Sequence, residues 1–173
     1  MQDRLKIVLN FFLLIAVQIL ILNNIQLFGL INPYLYILFI ITLPMFVSPG
    51  FMLLLAFVLG GIIDVFSHSY GIHMAATVLV TFIRPYIMGL FASREDMEKS
   101  APTYRNFGIS FLKYASLIVV IHHFVLFSLE AFSFSHFGMY CLKRCVVVWL
   151  PYFLSLVFKA LISKEGDKRL IQQ

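Results

Sequence analysis

Long apolar runs broken by short polar punctuation dominate the chain, and each run has the length of a helix rather than of a strand. The first extends from Ile7 to Leu22 and is interrupted only by Asn10 and Gln18. Asn23 to Pro33 then forms an uncharged connection whose middle, Ile25 to Ile31, is apolar enough to lie in a membrane interface. A second run, Tyr34 to Phe46, is closed by Pro44 and the Ser48-Pro49-Gly50 turn. As a helix it rises only about 20 Å, short of a roughly 30 Å hydrocarbon core unless it is extended or the bilayer thins. Further runs cover Phe51 to Phe66, Gly71 to Phe91, Phe107 to Phe132 and Phe137 to Ile162. The pattern predicts an all-α polytopic membrane bundle of about six transmembrane helices, forming one integral membrane domain over residues 1–173 with no repeat and no linker.

Composition strengthens this reading. Hydrophobic residues make up 61% of the chain and charged residues 12%, about half the charged share of a soluble domain. No sizeable soluble domain can be built, so enzyme folds with a globular half are excluded. The net charge of +5 reports topology rather than nucleic-acid binding. With the N-terminus cytoplasmic, that side receives Arg4, Lys6, Arg94, Lys99, Arg105, Lys113, Lys159, Lys164, Lys168 and Arg169, while the other side receives Lys143 and Arg144. Both termini are therefore expected on the cytoplasmic side. Arg4 and Lys6 before an apolar run resemble a signal sequence, but Asn23-Asn24 replaces the small-residue cleavage site, so the segment is expected to remain as the first span. Cys141 and Cys145 lie too far apart on one helix for an unstrained disulfide.

Polar residues inside the runs are the informative ones, because inserting a charge costs several kcal/mol. Ala56, Gly60 and Asp64 recur every four residues with Gly61 beside them, a packing seam ending in a carboxylate. Leu59 is read as facing away from it. His73, Thr77, Thr81 and Arg84 form a stripe on the fourth run, where Arg84 is expected to snorkel to cytoplasmic headgroups or to hydrogen-bond another helix. Ser116, His123 and Glu130 follow at heptad spacing. Asp64, His68, His73, Glu130, His136, Lys143 and Arg144 all fall on the outer side of the topology, where Asp64 or Glu130 could pair with Lys143 or Arg144. The alternative for Asp64 is an ion-coupling acid. No helical HxxxH or HExxH spacing supports a metal site, and His122 and His123, being adjacent, are expected to face different directions. No nucleophile motif, paired intramembrane aspartates or phosphate loop is present, so a non-enzyme without cofactors is expected.

The stretch Leu59-Gly60-Gly61-Ile62-Ile63-Asp64-Val65-Phe66-Ser67, with Gly71-Ile72-His73-Met74-Ala75-Ala76 after it, resembles the signature of the rod shape-determining MreD family. The family pattern is a helix ending in glycine, apolar residues and Asp, a Ser-containing turn, then Gly-x-His and small residues. His68 departs from the glycine common in that turn. Beyond Phe91 the likeness is one of architecture. The resemblance implies a non-catalytic scaffold of the bacterial elongation complex, binding MreC and through it the RodA glycosyltransferase, its penicillin-binding transpeptidase and MreB filaments. Residues Ala56, Gly60, Gly61, Asp64, Gly71 and His73 would then serve helix packing or a partner interface. The expected bundle is also similar to the substrate-binding subunits of energy-coupling-factor transporters, which supplies the alternative function, a vitamin-binding membrane subunit.

Overall fold

The computed structural model describes residues 2–24, 34–93 and 101–131, and every regular element among them is helical. Helix α1 (Gln2–Val17) continues into a π-helical turn, Gln18–Leu22; α2 is Ile37–Thr42, α3 Pro49–Ser67, α4 Ile72–Gly89, α5 the single turn Tyr104–Phe107, and α6 Ile109–Ala131. Four stretches are long and apolar enough to cross a membrane: Leu5–Leu22, Pro49–Ser67, Ile72–Gly89 and Ile109–Glu130. The protein is thus helical and of membrane type. The sixth expected span, Phe137–Ile162, lies outside the described residues.

Local sequence explains the element ends. Pro49 sits in the first turn of α3, where its missing N–H is no loss and its fixed φ suits a helix. His68 ends α3 in the left-handed conformation at φ 54°, its N–H and that of Ser69 returning to the Asp64 carbonyl. Gly71, at φ 93°, opens α4 in a conformation that costs a side-chain-bearing residue strain. The resulting turn makes α3 and α4 an antiparallel hairpin, and α6 packs against α4.

The second apolar run is where the span expectation is corrected. Only Ile37–Thr42 is helical, about 9 Å of rise, and its surroundings are protein rather than lipid. Tyr36, Ile37, Phe39, Ile40, Ile41 and Leu43 are all buried, with Phe11 of α1 meeting Phe39 edge-on at 5.2 Å between ring centres. Leu35 is bonded at the end of the bundle that holds Gln18, and Leu43 at the end that holds Arg84. The segment therefore links the two ends of the buried core, with Leu43 itself extended and a turn at Pro44 to Val47 following it. Non-helical backbone at membrane depth is tolerated only when protein covers it, which is why a run too short to span by itself can sit here.

Candidate functional site

Two polar layers close the ends of the short central helix. At the first, Gln18 lies on the inward face of α1 with Phe11 and Ile15, and all three are buried. Its Oε1 accepts from the N–H groups of Leu35 (2.8 Å) and Tyr36 (3.4 Å), donors that precede α2 and have no helical partner. Its Nε2 donates to Asn23 Oδ1 (3.1 Å), and Asn23 Nδ2 donates to Ser67 Oγ (3.2 Å), so α1, α2 and α3 are tied in one chain of bonds. The π-helical turn begins at Gln18, whose carbonyl accepts from Asn23 N–H five residues later.

Asp64 belongs to this same end. Oδ1 accepts from His73 N–H (3.0 Å) and the Ser69 hydroxyl (2.6 Å), and Oδ2 from Met74 N–H (2.8 Å). Because Gly71 at the start of α4 has no side chain to cap with, the carboxylate of the preceding helix caps it instead. Gly60 makes this reach possible. A Cβ built there would stand 2.4 Å from Met74 Cα and 2.9 Å from the His73 carbonyl oxygen, so α3 and α4 touch backbone to backbone. Gly61 is different, its nearest neighbour being Met74 Sδ at 3.8 Å.

Deeper in the layer, Tyr36 Oη lies 3.0 Å from His73 Nδ1 and 2.9 Å from His122 Nε2, joining α2, α4 and α6. His123 Nδ1 donates to the Val119 carbonyl at 2.8 Å. Tyr34 packs edge-on against His73 (4.8 Å between ring centres) and tilted against His123 (5.8 Å).

The second layer centres on Arg84, which is fully buried. Its Nε donates to Tyr114 Oη (2.8 Å), one terminal nitrogen to Met52 Sδ (3.2 Å) and the other to the Leu43 carbonyl. Tyr114 in turn donates to the Ile41 carbonyl at 3.2 Å. These are carbonyls at the C-terminal end of α2, where a cation is favoured and where lipid would satisfy nothing. Of the two expectations for Arg84, hydrogen bonding to another helix is the one the structure shows and snorkelling is not: its guanidinium is turned into the bundle, where Tyr114 and the end of α2 supply acceptors.

Other expectations fare as follows. Ala56, Gly60 and Asp64 do share one buried face, but that face is covered by this chain's own α4, so it is not open to a partner's span. Leu59 is fully buried as well, since neighbouring positions on α3 face other parts of the core. Thr77 and Thr81 bond back to the carbonyls of His73 (2.6 Å) and Thr77 (2.8 Å) on their own helix. His122 and His123 do not diverge, both being buried with ring centres 5.1 Å apart. His68 is exposed; Ser116 and Glu130 are half-buried on α6. His136, Lys143 and Arg144 lie outside the described residues. Sequence reasoning did not single out Gln18, Asn23, Tyr34, Tyr36, Met52 or Tyr114. Gln18 carried a usable signal, its spacing of three from Ile15 and seven from Phe11 placing it on their face.

No family model matches the chain, and no curated protein or solved structure matches it either.

Proposed function

We propose that the chain is a non-catalytic membrane scaffold of the bacterial elongation complex, of the MreD kind, held in the inner membrane with both termini cytoplasmic. Its partners on this reading are MreC and, through MreC, RodA, the penicillin-binding transpeptidase and MreB filaments. The observation that carries the reading is that the resemblance and the hairpin coincide. Gly60, Asp64, Gly71 and His73, the residues that make the sequence similar to the family, are those that set the contact and the cap between α3 and α4. Such a hairpin presents apolar side chains outward, among them Phe51, Leu54, Phe57, Val58, Val65 and Phe66, at positions that suit another protein's span or lipid. The test is recovery of MreC with the tagged chain from detergent-solubilised membranes, together with cell width after depletion. Absence of both co-recovery and rounding on depletion would remove the scaffold reading.

A second reading has a specific observation behind it. A short helix held within a bundle and flanked by convergent polar groups is an arrangement used by membrane proteins that bind solutes, which suits the vitamin-binding subunit. Radiolabelled vitamin retained by the purified chain would favour it.

A further inference from the structure

The histidine layer contains two buried nitrogens with no hydrogen-bond partner among the described residues, His122 Nδ1 and His123 Nε2. Their chemistry follows from the bonds on the opposite side of each ring. The Val119 carbonyl can only accept, so His123 Nδ1 carries the proton and Nε2 of the neutral ring is a bare lone pair. Tyr36 has one hydroxyl hydrogen to share between His73 Nδ1 and His122 Nε2, so one of these two nitrogens must donate to it. If Tyr36 donated to His122, an N–H would be stranded at Nδ1; orphaned buried donors are rarer than orphaned acceptors. The favoured order is His122 Nε2–H to Tyr36 and Tyr36 O–H to His73, which leaves a lone pair on His122 too. The surroundings carry the same bias. Tyr34, Tyr36 and Phe127 turn aromatic rings toward the histidine pair. Among the described residues, no set of three His, Cys, Asp or Glu side chains is placed to hold a metal ion.

We propose that His122 and His123, with the rings of Tyr34 and Phe127, form a binding site for a small organic cation that donates N–H bonds, an ammonium or amidinium group on an apolar body. The two ring centres are 5.1 Å apart, and bonds to one such group each reach about 2.9 Å, so the site requires both lone pairs to turn toward the same ammonium or amidinium. Aromatic faces add cation–π attraction. The site goes beyond the scaffold reading and does not depend on it, since a bundle can hold a ligand inside while its outer faces bind proteins.

The test uses the full chain in lipid nanodiscs with three probes of one shape, benzylammonium, benzyl alcohol and benzoate, and reads histidine ring 15N signals and thermal unfolding. Benzylammonium is expected to raise the unfolding temperature saturably and to move the lone-pair signals of His122 and His123, with the other two probes doing neither. His123→Phe keeps an aromatic ring and removes the lone pair, and should weaken binding at least about tenfold, the effect of one lost bond to a charged group. An equal response to benzyl alcohol or benzoate, or no movement of either nitrogen with benzylammonium, would overturn the proposal. So would a response to zinc ions alone, which would make this a metal site. If His123→Phe does not fold, the 15N signals of the unsubstituted chain decide the matter.

Discussion

Replacing Asp64 tests the cap that joins the two helices of the hairpin. Its carboxylate accepts three hydrogen bonds in a nearly buried setting, with two of the donors being backbone N–H groups of the first turn of α4. Asp64→Leu strands both N–H groups, each costing about 1–3 kcal/mol, so the loss should be about 2–6 kcal/mol. Asp64→Asn keeps one acceptor oxygen. Oriented to preserve the bonds to His73 and Ser69, its amide NH2 faces the Met74 N–H, donor against donor. One stranded donor predicts a loss of about 1–3 kcal/mol, with the missing charge at the helix start adding about 0.3–1 kcal/mol. The asparagine variant should therefore fall between the parent and the leucine variant. Reversible unfolding in mixed micelles titrated with SDS, followed by far-UV circular dichroism, measures this directly. Parent-like stability of Asp64→Asn would show that Met74 needs no acceptor there. Equal loss in both variants would mean that the charge itself, as in ion coupling, matters more than the bonding pattern.

Three further outcomes are expected from the same assay. Gly60→Ala should cost at least about 1–3 kcal/mol because its methyl group meets Met74 backbone at 2.4 Å, whereas Gly61→Ala, with 3.8 Å of room, should change stability by less than about 0.5 kcal/mol. His68→Gly should stabilise the chain by up to about 1 kcal/mol, since it relieves a left-handed residue on an exposed turn; a loss would show that the His68 side chain has a bonding role. Tyr114→Phe should cost about 1–3 kcal/mol in the parent and less in an Arg84→Met background, the two sharing about 0.6–1.7 kcal/mol of coupling. Additive losses would separate the tyrosine from the guanidinium.

Periodicity and hydropathy made the long elements legible, since α1, α3, α4 and α6 are apolar runs whose lengths match a bilayer. The short run at Tyr34 to Phe46 was recognisably anomalous, but hydropathy cannot tell lipid from protein as the apolar neighbour, so its central position could not be read. The i, i+4 recurrence of Ala56, Gly60 and Asp64 revealed a seam, and left open which helix would fill it. Arg84 was left with two outcomes, snorkelling or a bond to another helix, for a similar reason. A lone arginine in an apolar run has two ways to avoid lipid, and choosing between them requires knowing that Leu43 and Tyr114, distant in sequence, present oxygens beside it. Gln18 and Tyr36 were hidden because their partners are backbone groups or residues far along the chain.

The use of the polar layers also governs how function can be assigned. Gln18, Asp64, Arg84 and Tyr114 are engaged in capping helix ends, so their replacement impairs any activity by loosening the bundle, whether the chain is a scaffold or a solute-binding subunit. Loss of function at these positions therefore does not discriminate. The outward side chains do, because Phe57 and Phe66 are exposed and removing one costs the fold little. If α3 receives a partner's span, Phe57→Ala together with Phe66→Ala should lower recovery of MreC at least about tenfold while the SDS unfolding midpoint stays near that of the parent, since buried aromatic contacts dominate interface energies. Equal recovery with an unchanged midpoint would show that this face meets only lipid, and the partner would have to be sought on the outward face of α1, where Leu5, Leu9, Phe12 and Leu13 are similarly exposed. If neither face matters while His123→Phe abolishes activity with the unfolding midpoint unchanged, the chain works through its interior, and the scaffold reading gives way to the solute-binding one.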